Sequence, residues 1–98
     1  MIKKRYYKGG KNCRVWFYLP SKLDAEAAHL VGDFNGWDQQ AHPMKQKKDG
    51  TFYTAVTLPT GKDYEFRYFL DGERWENDWD ADAYAPNEMG GENSVVKV

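Results

Sequence analysis

Apolar side chains recur at every second position in several short stretches of the chain, and turn-forming residues separate these stretches. In Asp63–Leu70, for example, the even-numbered residues are hydrophobic, while the odd-numbered ones include Glu65 and Arg67. A period of two is typical of strands that bury one face. The pattern predicts strands at Arg14–Leu19, Ala28–Phe34, Met44–Lys47, Thr51–Leu58, Asp63–Leu70, around Trp75, and at Asn93–Val98.

Helical periodicity is nearly absent, since only Ser21–Ala28 has any helical potential and it is short. Asp49-Gly50 and Asp71-Gly72 are typical of tight turns between antiparallel strands. These features predict an all-β, antiparallel sandwich of immunoglobulin type with about seven strands, and a five-stranded barrel is the alternative. The expected core consists of Val15, Phe17, Leu30, Phe34, Phe52, Val56, Leu58, Tyr64, Phe66 and Tyr68.

The size and composition are those of one compact domain. The chain has 98 residues, of which 16% are aromatic and 30% are charged. It contains neither an apolar run of roughly 18 residues nor the apolar stretch of a signal peptide. Cys13 is the single cysteine, so an internal disulfide is excluded and a reducing compartment is favoured. We therefore expect a cytoplasmic protein with no membrane partner.

Charge is distributed unevenly, although the net charge is only −1. Residues 1–14 carry six basic side chains and no acidic one, while residues 71–92 carry eight acids and only Arg74 as a base. We predict a basic N-terminal arm at residues 1–13 and a folded domain at residues 14–98. The arm could instead contact nucleic acid, but no basic surface continues beyond it in the sequence, so no nucleic-acid partner is expected.

The segment Gly32-Asp33-Phe34-Asn35-Gly36-Trp37 predicts a strand that breaks into a sharp turn. Trp37 follows the last alternating residue. A tryptophan on a turn is either a plug that folds back on the core or an apolar plate for a ligand.

Trp37, Arg67 and Trp75 form a candidate sugar site. Arg67 points outward from its strand, and Trp75 lies on the strand that returns after Asp71-Gly72. Indole rings stack on the apolar face of a glucose ring, and a donor between them serves its hydroxyls. The alternative is that both tryptophans fill the ends of the sandwich, and spacing alone leaves the two interpretations open.

No metal, cofactor or catalytic apparatus is expected. Asp78, Asp80 and Asp82 imitate the start of a calcium loop, but Ala83 and Met89 occupy the positions where such a loop requires Gly and Glu. The two histidines have no ligand set around them. The sequence shows no activated nucleophile, and a small sandwich offers no deep cleft for a pair of catalytic carboxylates. We therefore expect a protein that is not an enzyme.

An ordered set of motifs resembles one family over about residues 14–98. The set is Val31-Gly32-Asp33-Phe34-Asn35-Gly36-Trp37, Leu58-Pro59-Thr60-Gly61, Tyr64-Glu65-Phe66-Arg67-Tyr68, Asp71-Gly72, Trp75, Asn77-Asp78 and Asn93-Ser94-Val95-Val96-Lys97-Val98. It is similar to carbohydrate-binding module family 48, the glycogen-binding, early-set domain of a kinase β-subunit, of branching enzymes and of isoamylases. The resemblance implies a sandwich that binds α-1,4-glucans such as glycogen, starch and maltooligosaccharides.

The resemblance also implies roles for individual residues. Trp37 and Trp75 match the stacking tryptophans, and Arg67 stands where the kinase module has a sugar-binding lysine. The remaining implied contacts are Met89, Asn93 and Ser94, where Ser94 replaces an asparagine and has a shorter reach. The implied partners are an α-glucan and a glycogen-metabolising enzyme or kinase. The alternative function is an early-set domain that serves protein–protein contact without significant sugar binding.

Overall fold

The computed structural model describes residues 2–98, and Met1 lies outside the described part. Within that range nine strands form two antiparallel sheets that pack face to face, which confirms the sandwich. In chain order they are β1 (Ile2–Tyr6), β2 (Asn12–Leu19), β3 (Ala28–Gly32), β4 (Lys45–Gln46), β5 (Phe52–Pro59), β6 (Asp63–Leu70), β7 (Arg74–Glu76), β8 (Ala83–Pro86) and β9 (Glu92–Lys97). Two single turns of 3-10 helix occur at Ser21–Leu23 and Asp33–Asn35.

The first sheet has the order β1-β2-β5-β4 and the second has the order β3-β6-β9-β8. Strand β6 organises the second sheet, because β3 pairs along one of its sides while β9 and β7 follow one another along the other. Pairing of Val15 with Val56 in the first sheet, and of Tyr64 with Val96 in the second, aligns the apolar faces of neighbouring strands.

The core lies between the sheets and contains most of the expected residues. Phe17 and Phe66 meet edge to face across it, with ring centroids 5.0 Å apart. Phe34 and Val56 are half-buried and pack against the cluster from its margin. The buried members are Cys13, Val15, Phe17, Leu19, Ala28, Leu30, Met44, Phe52, Leu58, Tyr64, Phe66, Tyr68, Leu70 and Val96.

Two of the nine strands lie in segments that we expected to be an arm and a loop. Strand β1 occupies residues 2–6 and pairs with β2 along its whole length, so this part of the expected arm belongs to the first sheet. Strand β8 lies within the acidic segment and pairs with β9. An ion pair joins β1 to the residue just before β8, with 2.6 Å between Lys4 Nζ and Asp82 Oδ2. Charged side chains are common on edge strands and hide their periodicity.

Strand β3 ends at Gly32, two residues earlier than the alternation predicts. A Cβ at this position would lie 2.6 Å from the carbonyl oxygen of Glu65 and 2.8 Å from Cβ of Phe66. Glycine therefore permits β3 and β6 to approach closely just before the turn. No helix within residues 2–98 is long and apolar enough to cross a membrane.

Candidate functional site

A tight turn fixes Trp37 at the end of β3. The backbone N–H of Trp37 donates to the carbonyl of Gly32 at 2.9 Å, and Gly36 adopts the left-handed conformation that the reversal requires. Trp37 itself has a positive φ of 60°. Asn35 ties the turn to β3, because its side chain accepts from the N–H of Gly32 and donates to the carbonyl of Leu30. The turn is therefore held by hydrogen bonds on both sides.

The carboxylate of Asp33 orients the indole. Its Oδ1 accepts a hydrogen bond from Nε1 of Trp37 at 2.9 Å, and its Oδ2 accepts one from the backbone N–H of Glu65 at 2.8 Å. One carboxylate thus connects the tryptophan to β6. The indole is half-buried rather than plugged into the core, which leaves part of its surface open.

Trp37 forms one wall of a groove of about 560 Å³ on the outer side of the second sheet. Residues from the turn after β3, from the outward positions of β6 and β9, and from the β8–β9 hairpin contribute to it. The groove is lined by Asp33, Trp37, Glu65, Arg67, Pro86, Asn87, Glu88, Met89 and Asn93.

Arg67 connects the groove to Trp75. Its Cζ lies 5.0 Å from the centroid of the Trp75 ring, within the range of a cation–π contact. Phe69 supports the same ring from β6, with centroids 4.4 Å apart. Within residues 2–98, the buried Nε of Arg67 has no hydrogen-bond partner. Trp75 itself is 36% exposed. The structure therefore brings Trp37, Arg67 and Trp75 to one outer face.

Polar side chains line the groove between the aromatic residues. Nδ2 of Asn93 donates to a carboxylate oxygen of Glu65 at 3.1 Å, and Nδ2 of Asn87 donates to the side-chain carbonyl of Asn93 at 3.3 Å. Glu65 and Arg67, both on the outward side of β6, line this groove together. Together they provide acceptors and donors over a short distance.

Met89 lies at the rim of the groove, on the turn between β8 and β9. Its side chain is 90% exposed. Asn87 shapes this turn, because its Oδ1 accepts from the N–H groups of Met89 and Gly91, each at 3.0 Å. An apolar side chain exposed to this degree next to a groove is available to a ligand.

Ser94 is not brought to the groove. It lies on the inward side of β9 with no exposed surface, and its hydroxyl donates to Oδ1 of Asn77 and accepts from the backbone N–H of Asp78. A sugar on the outer face cannot reach it, so the contact implied by the resemblance disagrees with its placement. Ser94 instead fastens the segment that follows β7.

The acidic segment is anchored through a buried carboxylate. Asp78 is 2% exposed, and its Oδ2 accepts a hydrogen bond from the Tyr68 hydroxyl at 2.7 Å. Burial, together with the neighbouring Asp78 charge, raises the pKa of Tyr68 well above its usual value, so the hydroxyl stays a donor. Asp78 also accepts from the N–H of Asp80. This anchor sets the path of the chain toward β8.

The last carboxylate of the calcium-like spacing, that of Asp82, makes protein contacts. Asp82 pairs with Lys4 and accepts from the backbone N–H of Lys97. Burial tends to raise the pKa of Asp82, but these hydrogen bonds outweigh it and lower the pKa below its usual value. Among residues 2–98 there is no cluster of three or more His, Cys, Asp or Glu side chains arranged to hold a metal.

Trp79 lies apart from the groove. It is 53% exposed, its Nε1 donates to Glu76 at 3.2 Å, and the ammonium group of Lys22 lies 5.0 Å from its ring. It does not line the groove with Trp37. Its contacts with Glu76 and Lys22 hold the acidic segment in place.

The sequence did not indicate three residues that shape the groove. Asp33, four positions before Trp37, is read from the sequence only as a turn former, and its link to β6 depends on the tertiary fold. Glu65 and Asn87 likewise acquire neighbours only through strand pairing. The outward parity of Glu65 was the one signal available for it.

Residues 4–85 match the sequence family described as carbohydrate-binding module 48, the isoamylase N-terminal domain. The chain is 32% identical over 78 residues to a 1,4-alpha-glucan branching enzyme GlgB of Butyrivibrio fibrisolvens, which covers 80% of this chain and 12% of that enzyme. It is 33% identical over 79 residues to the enzyme of Rhodopirellula baltica, covering 78% of this chain and 10% of that protein. A 1,4-alpha-glucan-branching enzyme of Eremothecium gossypii is 44% identical over 43 residues, covering 44% of this chain and 6% of that enzyme.

Proposed function

Because the chain belongs to the carbohydrate-binding module 48 family, we propose that it binds α-1,4-glucans on the outer face of its second sheet, without catalysing a reaction. Glycogen, starch and maltooligosaccharides are the ligands of this class. The proposed contacts are Trp37, Arg67, Trp75, Met89 and Asn93, to which we add Glu65.

One observation carries the proposal: Arg67 lines the same groove as Trp37 and lies over the ring of Trp75. Two partly exposed indoles therefore flank one guanidinium group. A glucose unit presents apolar C–H faces to rings and hydroxyl edges to donors and acceptors, and the face has both kinds of group. The guanidinium group of Arg67 lines the groove and supplies several N–H donors for sugar hydroxyls.

The relatives point to the class of sugar. Their names describe enzymes that act on 1,4-α-glucans. The chain spans about a tenth of the length of these relatives, so their branching activity does not transfer to it. Binding of the glucan, in contrast, needs only a surface, and the groove provides one.

The groove supports binding better than hydrolysis. Glycoside hydrolysis needs two carboxyl groups placed on either side of the scissile bond. Both oxygens of Asp33 already accept protein hydrogen bonds, and Glu65 accepts one from Asn93. Asp33 positions the indole of Trp37, and Glu65 gives the groove an acceptor for hydroxyls.

Calorimetric titration with maltoheptaose and β-cyclodextrin, with cellohexaose as the control, tests the proposal. We expect heat of binding with the α-linked sugars only. Trp37→Ala and Trp75→Ala should each lose this signal while their circular dichroism and melting stay near those of the parent. Trp79→Ala is the matched control and should retain binding, because its ring lies apart from the groove. Absence of binding in the parent would overturn the proposal and would favour protein–protein contact as the role of this face.

A further inference from the structure

The outer face of the first sheet collects basic and aromatic side chains from distant parts of the chain. Strand parity places Lys3 and Arg5 of β1 on the same side as Arg14 of β2 and Lys45 of β4. Lys47 follows β4 and lies over rings of this side. Within residues 2–98, no outward position of these four strands carries a carboxylate.

Aromatic rings occupy the middle of this basic face. Trp16 pairs with Ala55, whose small side chain leaves a recess of about 260 Å³ next to Tyr53. Arg14 and Lys45 line the same recess. Planar rings are thus flanked by cations on both sides.

The arrangement of the cations is unfavourable without a partner. Arg5 and Arg14 are directly opposite each other on neighbouring strands, and like charges in this position destabilise a sheet. An acidic side chain next to this pair would reduce the repulsion between the two arginines. The acidic residues of the chain are concentrated in the segment 71–92 instead. An anion bound over this face would remove the repulsion.

We propose that the basic face binds single-stranded nucleic acid, with bases stacked on Trp16 and Tyr53 and phosphates paired with the surrounding cations. A positively charged surface with interleaved aromatic rings is the design by which proteins hold single strands without sequence preference. Protein interfaces are depleted in lysine, and three of the five cations here are lysines. An acidic protein surface is therefore the less favoured occupant.

From the sequence alone, no nucleic-acid partner is expected. That expectation rests on a basic segment that ends at residue 14 of the sequence. In the folded sheet the basic surface extends further, because the strand order β1-β2-β5-β4 brings Tyr53 and Lys45 alongside the N-terminal cations. Across three strand spacings of about 4.8 Å, the cations span roughly 14 Å.

The probe is a fluorescent oligo-dT of about 15 nucleotides, a length within the site sizes of known single-strand binders. Its anisotropy is measured with the intact protein at several salt concentrations. If all five cations contact phosphates, the slope of log affinity against log salt is about −3.5, so affinity falls about 100-fold between about 50 and 200 mM salt. Lys45→Ala, at an exposed position, should reduce the slope by about 0.7.

Trp16→Ala separates stacking from simple charge attraction and should weaken oligo-dT binding by about tenfold or more. Trp37→Ala is the control and should bind the oligonucleotide like the parent. Because Trp16 is half-buried and its removal could unfold the domain, its indole N–H signal in the intact protein is a second readout, and it should shift on addition of oligo-dT.

Polyglutamate of similar length distinguishes the alternative occupant. Suppose that polyglutamate binds as tightly as oligo-dT and that the Trp16 indole N–H signal does not shift on addition of oligo-dT. The nucleic-acid proposal is then overturned, and the basic face is assigned to binding an acidic protein surface. Absence of oligo-dT binding also overturns it. The glucan groove lies on the second sheet and the basic face on the first, so neither outcome bears on glucan binding. For the same reason, maltoheptaose should leave a bound oligonucleotide in place.

Discussion

Replacing Asp33 with Asn should weaken glucan binding although we do not propose that Asp33 contacts the sugar. The carboxylate accepts from the Trp37 indole at 2.9 Å and from the backbone N–H of Glu65 at 2.8 Å. The amide keeps one acceptor and turns its NH2 group toward the other donor. A hydrogen bond to a charged group contributes about 1.5–3 kcal/mol, and Asp33 is exposed, so we expect a loss of about 1–2 kcal/mol of stability.

The effect on binding arises because the indole of Trp37 is less firmly fixed in Asp33→Asn, so that the sugar has to order it. Ordering one side chain on binding costs about 0.5–1.5 kcal/mol, which corresponds to a dissociation constant for the sugar about 2- to 13-fold larger. Calorimetry with maltoheptaose measures this change, and thermal melting measures the stability. Asp63→Asn is the matched control, since Asp63 is an exposed carboxylate at the start of β6. If Asp33→Asn binds and melts like the parent while Trp37→Ala does not bind, the carboxylate does not position the indole.

Four further outcomes follow from the core and the acidic segment. Gly32→Ala should cost about 1–3 kcal/mol in a denaturant titration, because its Cβ would overlap the β6 backbone; an unchanged midpoint would contradict the close approach. Phe66→Ala should cost about 3–5 kcal/mol, and a variant that melts like the parent would disprove the inward parity of β6. Tyr68→Phe should cost about 1–3 kcal/mol by leaving Asp78 with one donor fewer. The pKa of Tyr68 is higher in the folded state than in the unfolded chain, so its contribution to the free energy of unfolding is complete below about pH 10 and declines above it. The Phe variant lacks this group and should therefore lose less stability than the parent between neutral and alkaline pH. Equal losses in the two proteins would argue against this. Calcium or a chelator should leave melting and glucan binding unchanged, and a rise of several degrees with calcium would revive a metal site.

Much of the fold could be predicted because alternation encodes which side of a strand is buried. The parity of β6 placed Phe66 inside and Arg67 outside, and the structure has both in these positions. The same reasoning indicated that Trp75, on the returning strand, would lie near Arg67, and the two are in contact.

The remaining features depend on pairing partners that local patterns do not show. The charged side chains of β1 hid its strand character, and its edge position became visible only through its register with β2. Ser94 was assigned by resemblance to an asparagine that contacts sugar. Its inward position follows from its pairing with Phe66, which faces the core.

The chain contains four tryptophans, whose indole N–H signals can be followed separately by heteronuclear NMR. Titration with β-cyclodextrin under these conditions tests the proposed glucan site most directly. We expect the signals of Trp37 and Trp75 to shift together in a saturable way, while those of Trp16 and Trp79 stay in place. Uniform shifts of all four signals, or no shift of Trp37 and Trp75 at saturating sugar, would contradict glucan binding at this site.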